Sequence, residues 1–81
     1  LPVQTEPLLQ ERNFGALRGR PWDELGFDAT SMVEAPEGGE SLAGFLQRCD
    51  AAWADAVARR AALGGPLVVV SHGLLIHAVL R

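Results

Sequence analysis

The segment Ser71-His72-Gly73 sets an imidazole directly after the apolar run Leu67-Val68-Val69-Val70 and directly before a second apolar stretch, Leu74 to Leu80. Four apolar residues without alternation, three of them β-branched, predict a strand buried on both faces, and the following stretch predicts a buried helix. A histidine at that junction suits phosphoryl oxygens. Ligands of open α/β sheets collect at the carboxyl ends of strands. The start of the next helix offers free N–H groups and a partial positive charge, which favour a phosphate. Gly73 would let the backbone approach closely. Taken alone, a histidine in such a place is more often satisfied by backbone partners than functional. His77 lies five residues further on, a roughly 140° turn away on a helix, so the two histidines do not converge as an i, i+4 metal pair and His77 is expected at a structural or rim position. Ser71 lacks the Gly-x-Ser-x-Gly setting of a nucleophile elbow and reads as a turn residue with a hydroxyl available to donate.

The second candidate is Glu11, in Leu9-Gln10-Glu11-Arg12-Asn13-Phe14-Gly15-Ala16-Leu17-Arg18-Gly19. A glutamate in a loop is usually solvated. Here Arg12 adjoins it, and Gly15 and Gly19 permit an unusual backbone path. A carboxyl shielded from water in such a loop could protonate a leaving oxygen as a general acid. A third segment, Pro36-Glu37-Gly38-Gly39-Glu40-Ser41, leads into a helix; by itself it is a weak signal, since it could be no more than a cap with two glycines allowing a sharp turn.

The elements that must position these residues are few. Residues 1–20 read as loop with brief extended pieces, including Leu1 and Val3. Pro21 opens a short helix through Leu25, with Asp23 and Glu24 at its positive end. Residues 26–39 read as a surface connection. The clearest element covers residues 41–63, where Leu42, Phe45, Leu46, Cys49, Trp53, Ala56 and Val57 recur at three- and four-residue spacing on one face. Ser41 or the residue before it caps its start, and Gly64-Gly65-Pro66 stops it. A strand buried on both faces needs neighbouring strands, and nothing else in the chain is comparably strong, so the sheet is expected to be completed from outside these residues.

Composition narrows the function classes. The chain has 81 residues, room for one small domain that buries only roughly 60–65% of its unfolded surface. Apolar residues make up 48% of it, too many for a disordered segment. Seven arginines, no lysine and ten acidic residues give a net charge of −3, and no basic stretch tracks a nucleic-acid backbone. The adjacent pair Arg59-Arg60 reads as a solvated helix face. Cys49 is the only cysteine, which rules out an internal disulfide and a Cys-based metal site; its position on the apolar face predicts a buried small hydrophobe. No apolar run is long enough to span a bilayer and no leader opens the chain. The expected setting is cytoplasmic, with neither a nucleic-acid nor a membrane partner.

Three segments then occur in a telling order: Leu9-x-Glu11-Arg12-x-Phe14-Gly15-x-Leu17-x-Gly19, Gly38-Gly39-Glu40-Ser41, and Val68-Val69-Val70-Ser71-His72-Gly73. Together, with the long amphipathic helix between the last two, they resemble the histidine phosphatase superfamily, the phosphoglycerate mutase-like family, from about residue 1 to residue 80. The resemblance implies an α/β fold, with this chain as the C-terminal part of a three-layer α/β/α sandwich with a mostly parallel sheet, and phosphoryl transfer through a phosphohistidine. It implies that Glu11 protonates the leaving group and later helps activate water, that His72 is the second active-site histidine contacting the phosphoryl group, that the Gly73 backbone lies at the phosphate pocket, and that Arg12 helps hold the substrate. It implies no metal and no cofactor. The implied substrate is a small anionic phosphorylated metabolite; a homodimer is left open.

The family's nucleophilic histidine belongs to an Arg-His-Gly segment, which these residues lack, as they lack its phosphate-binding arginines. His72 matches the other histidine, and His77 stands where members commonly place Arg, which leaves a rim contact in doubt. With Leu1 rather than Met in first place, residues 1–81 are therefore expected to be a partial domain whose N-terminal half lies elsewhere. Mutases of the family carry a long segment after the glutamate motif, with a Lys and paired Arg residues; here only residues 20–37 separate Gly19 from Gly38, with no Lys and with Arg20 as the sole Arg. A shorter cover implies a wetter site and transfer to water, so a phosphatase is expected. The alternatives are a 2,3-bisphosphoglycerate-dependent phosphoglycerate mutase and a truncated, catalytically inactive fragment or binding module.

Overall fold

The Ser41 hydroxyl accepts a hydrogen bond from the Gly44 N–H at 3.0 Å, satisfying one of the donors a helix start leaves unpaired. From there the computed structural model, which describes residues 3–81, runs as one helix, α1, over Leu42–Leu63. Its 22 residues give it a length of about 33 Å. Gly64 ends it in the left-handed conformation at φ 66°. Both ends lie where the sequence sets them.

A second, seven-residue helix, α2, spans Gly73–Val79. It lays Leu75 and Ala78 against Phe45 and Cys49 of α1, and Leu9, Leu46, Leu74 and Val79 pack around these four. This small cluster is the core. Cys49 is fully buried in it, and that burial pushes its thiol above the usual range. Iodoacetamide at mildly alkaline pH is therefore expected to spare Cys49 in the folded protein and to modify it in urea, as read by peptide mass spectrometry; equal modification in both would contradict the packing.

The expected apolar face of α1 is only half covered. Phe45, Cys49 and Ala52 are buried, but Trp53 and Val57 are 58% and 51% exposed. The short α2 does not reach along the whole helix. Ahead of α1, residues 3–40 form loops with single 3-10 turns at Pro7–Leu9, Gly15–Leu17, Trp22–Glu24 and Ala29–Ser31. The short helix expected from Pro21 to Leu25 is one such turn, and Trp22 packs edge-on against Phe14 with ring centroids 5.4 Å apart. Of the expected opening apolar piece, Leu1 lies outside the described residues and Val3 is exposed. Arg59, expected on a solvated face, instead pairs with Glu6 at 2.7 Å and with Asp55 at 2.9 Å.

The expected strand does not form. Residues 66–72 belong to no helix, and among the described residues there is no strand and no sheet. Val68 and Val70 are 85% and 82% exposed. The described chain is therefore helical, and the α/β class and the three-layer α/β/α sandwich with a mostly parallel sheet are corrected accordingly. The physical reason is that a strand exists only as a ladder shared with a partner's N–H and C=O groups. The β-branched run Val68-Val69-Val70 favours extended backbone, but among the described residues no second segment pairs with it in a ladder. Among the described residues no helix is long and apolar enough to cross a membrane.

Candidate active site

The site is built from two loops fastened to each other and then to both helices. The Ala16 N–H donates to the Glu37 carbonyl and the Glu40 N–H to the Asn13 carbonyl, each at 2.8 Å. Gly15 and Gly39 sit where these loops meet. A Cβ on Gly15, which has φ 53°, would lie 2.1 Å from the Glu37 carbonyl oxygen, and one on Gly39 would lie 2.7 Å from the Asn13 carbonyl oxygen. The glycines thus permit backbone to lie on backbone, which joins the Glu11 segment to the Gly38-Gly39-Glu40-Ser41 segment.

Arg48 of α1 fastens this pair of loops to the helix. Its Nε and Nη2 grip the Glu40 carboxylate at 2.9 and 2.8 Å, a two-pronged, charge-assisted contact. Glu40 also accepts from the Asn13 N–H at 2.8 Å. The Arg48 guanidinium, with that N–H, holds the Glu40 carboxyl below its usual range against the opposing effect of burial. Folded Glu40 therefore titrates below the unfolded value of about 4.3. Its contribution to stability is fully present above that value and is lost as pH falls through the folded one. Glu40→Gln is expected to flatten this acid limb of Tm plotted against pH; a limb of unchanged steepness would contradict the pairing.

Glu11 then reaches from the loop to α2. Its carboxylate accepts from the Leu74 N–H at 2.9 Å and the Leu75 N–H at 3.2 Å, and also from the Arg12 N–H at 3.0 Å. The start of α2, expected to favour an anion, is met by the protein's own carboxylate. Ser71 ties the same two regions together, its hydroxyl donating to the Leu9 carbonyl at 2.7 Å. His72 is the residue before α2, extended at φ −123°, with its side chain exposed and making no cap bond. Gly73, the first residue of α2, is exposed as well.

A family model, the histidine phosphatase superfamily (branch 1), matches residues 1–81, the whole chain. The chain belongs to that superfamily. Membership supports phosphatase- or mutase-type chemistry on phosphorylated small molecules in general, and it names neither a substrate nor residue roles. No curated protein and no solved structure matches the chain.

In this member of the superfamily the Glu11 carboxylate meets the start of α2, which His72 precedes and Gly73 opens, through the Leu74 N–H across a sequence separation of 63 residues. Arg12 does not join them as a free cation. It is 4% exposed, and its Nη2 donates to the carbonyls of Met32 at 2.8 Å and Glu40 at 3.3 Å, while its Nε is buried without a partner. His77 is exposed on the other side of α2, beside Arg12, Phe45 and Arg81 in a hollow of about 250 Å³. An apolar groove of about 230 Å³ between α1 and α2 is lined by Leu9, Trp53, Val69 and Leu75 among others, with no charged side chain to suit a phosphate. Neither hollow includes Glu11 or His72. Sequence reasoning passed over Arg48. The one available signal was its place between Phe45 and Cys49 at the edge of the apolar face, which an arginine with its head in water would occupy equally well.

Proposed function

We propose that this chain supplies an acid/base carboxylate, Glu11, and a supporting histidine, His72, to a phosphomonoesterase acting on a small anionic phosphorylated metabolite, with the nucleophilic histidine outside residues 1–81. The observation that carries the reading is the pair of hydrogen bonds from the Leu74 and Leu75 N–H groups to the Glu11 carboxylate, which set that carboxylate beside the segment that bears His72. In the proposed sequence the P–O bond of the ester breaks, its electron pair leaves with the oxygen, and Glu11 supplies the proton that oxygen takes up. The phosphoryl group passes to the nucleophilic nitrogen. Water then attacks phosphorus, Glu11 takes its proton, and the P–N bond breaks to release phosphate. Three N–H groups donate to the Glu11 carboxylate, two to Oε1 and one to Oε2, and since two carboxylate oxygens offer about four acceptor sites, Oε2 keeps one for the substrate oxygen.

His72 is proposed to stabilise the equatorial oxygens of the transferring group, where preorganised charge counts most. Gly73 is proposed to let the phosphate come against the backbone, having no side chain to exclude it. Arg12 is proposed to help hold the substrate through its positive charge next to Glu11 in the chain, with its Nη2 kept on the Met32 and Glu40 carbonyls.

Hydrolysis is favoured over mutase chemistry by the short connection between Gly19 and Gly38, which in the structure carries only the two 3-10 turns Trp22–Glu24 and Ala29–Ser31. The test is an assay of the full-length protein on 3-phosphoglycerate and on p-nitrophenyl phosphate, with and without 2,3-bisphosphoglycerate. Release of inorganic phosphate without the bisphosphate is expected. Formation of the 2-phosphoglycerate isomer that depends on the bisphosphate would establish the mutase instead, and no turnover of either ester would favour an inactive or binding role.

A further inference from the structure

We propose that Arg48 is the positioning residue for Glu11, an inference that rests on Glu11 acting as the acid/base group. A guanidinium has five N–H donors in a fixed fork. In Arg48 each of them meets an acceptor on or next to the Glu11 loop. Nε and one Nη2 hydrogen hold the two oxygens of Glu40. Nη1 donates to the Leu8 carbonyl at 2.8 Å and the Gln10 carbonyl at 2.6 Å, and Nη2 donates to the Glu11 carbonyl at 3.3 Å. Glu40, fixed by Arg48, in turn accepts the Asn13 N–H at 2.8 Å. The backbone is thus gripped at residues 8, 10, 11 and 13, on both sides of the Glu11 side chain.

Among the described residues no other side chain of α1 donates a hydrogen bond to this stretch. Residues 10–13 belong to no helix or 3-10 turn, so their carbonyls have no repeating partners. An ordinary exposed ion pair between Arg48 and Glu40 would contribute little. Here the Arg48 side chain is only 19% exposed and three of its five bonds go to carbonyls, the use to which a rigid fork is suited and a lysine ammonium is not. From the opposite side the Glu11 carboxylate is held by α2 and Leu9 by Ser71. The Glu11 side chain spans the gap between two fixed anchors, and releasing one of them lets its carboxylate drift relative to the leaving oxygen. A displacement of about 1 Å is enough to cost roughly 100-fold in rate.

Arg48 touches no reacting atom in this account, so its effect must pass through Glu11. That makes a double-mutant cycle the deciding experiment, run on the full-length protein with phenyl phosphate and p-nitrophenyl phosphate as probes. Arg48→Lys is expected to lower kcat/KM for phenyl phosphate by about 10- to 100-fold. The loss should be smaller for p-nitrophenyl phosphate, whose leaving oxygen needs little help from an acid. In a Glu11→Gln background the same substitution is expected to cost less than roughly 2-fold, because the group it positions is already gone. An impaired E11Q enzyme in which R48K costs its full factor again, or a lone R48K at wild-type rate, overturns the positioning role and leaves Glu11 untouched. An E11Q enzyme at wild-type rate removes the Glu11 reading itself, and the positioning role with it. If R48K loses its cooperative melt, Glu40→Gln, which weakens the fork but keeps every Arg48 donor, is read through the same cycle. A loss that disappears in the E11Q background supports the proposal, and a loss that persists there or is absent from the start overturns it.

Discussion

Replacing Glu11 with Gln in the full-length protein is expected to lower kcat/KM for phenyl phosphate by roughly 10²–10⁴, the range a positioned general acid contributes. The structure supplies a rival explanation that the measurement must separate. Glu11 also caps α2 through the Leu74 and Leu75 N–H groups, and a glutamine cannot accept from both donors with two oxygens. Losing a cap costs about 0.5–2 kcal/mol of stability, so E11Q should also melt at a lower temperature. A loss of folded enzyme lowers the rate on every substrate by the same factor. A loss of proton donation does not: it falls most heavily on phenyl phosphate and lightly on p-nitrophenyl phosphate, whose phenolate leaves readily. The expected result is therefore a rate loss that grows as the leaving group worsens. An equal loss on both esters would reduce Glu11 to a structural cap, and an unchanged rate on both would remove it from the chemistry.

Gly15→Ala carries the largest expected effect on stability. The added Cβ would meet only backbone, at 2.1 Å from the Glu37 carbonyl oxygen, 2.6 Å from the Gly39 nitrogen and 2.7 Å from the Gly38 carbonyl carbon. No side chain can swing aside to make room. The two loops would have to separate, and the hydrogen bonds from Ala16 to Glu37 and from Glu40 to Asn13 would go with them. Two such bonds at about 1 kcal/mol each, with about 1–2 kcal/mol for a side chain in the left-handed conformation, give a loss of roughly 3–4 kcal/mol, a large share of a typical domain's stability. Gly19→Ala is the control. Gly19 is also left-handed, at φ 80°, but nothing lies within 4 Å of its Cβ position. It should lose only the conformational part, about 1–2 kcal/mol. Urea unfolding of the two variants measures the difference; equal losses would mean that the loops do not meet as described.

The parts of the fold legible in the sequence are those decided within a few residues. The Ser41 cap and the Gly64 stop of α1 depend on hydrogen bonds and backbone conformation at the helix ends, and both stand as the sequence sets them. The strand at Leu67–Val70 depends on a partner elsewhere, and an apolar run states a need for burial without saying whether anything answers it. The same gap explains Trp53 and Val57, which share the periodicity of Phe45 and Cys49 but are left half exposed. In the site, local reasoning left Glu11 and His72 as separate weak candidates, and only the order of three segments suggested that they belong together. The contact that brings the Glu11 loop to the start of α2 is made by the Leu74 and Leu75 N–H groups and has no local signature. That same contact changes the role of the α2 start, because an N-terminus read as a phosphate cradle already holds the Glu11 carboxylate. Arg48 was hidden because an arginine at the border of an amphipathic helix ordinarily lays its stem on apolar surface and its head in water, and its carbonyl acceptors come from a loop far away in sequence.

The central claim is that residues 1–81 contribute the acid/base group and a supporting histidine to a phosphoryl-transfer site, while another histidine takes the phosphoryl group. It is tested most directly by quenching the full-length protein during turnover of p-nitrophenyl [³²P]phosphate and mapping the label. The account predicts an acid-labile, base-stable label on a histidine outside residues 1–81, and more of it in the Glu11→Gln enzyme, where water is no longer activated to remove it. An acid-stable label, or a label on His72 or His77, would contradict it.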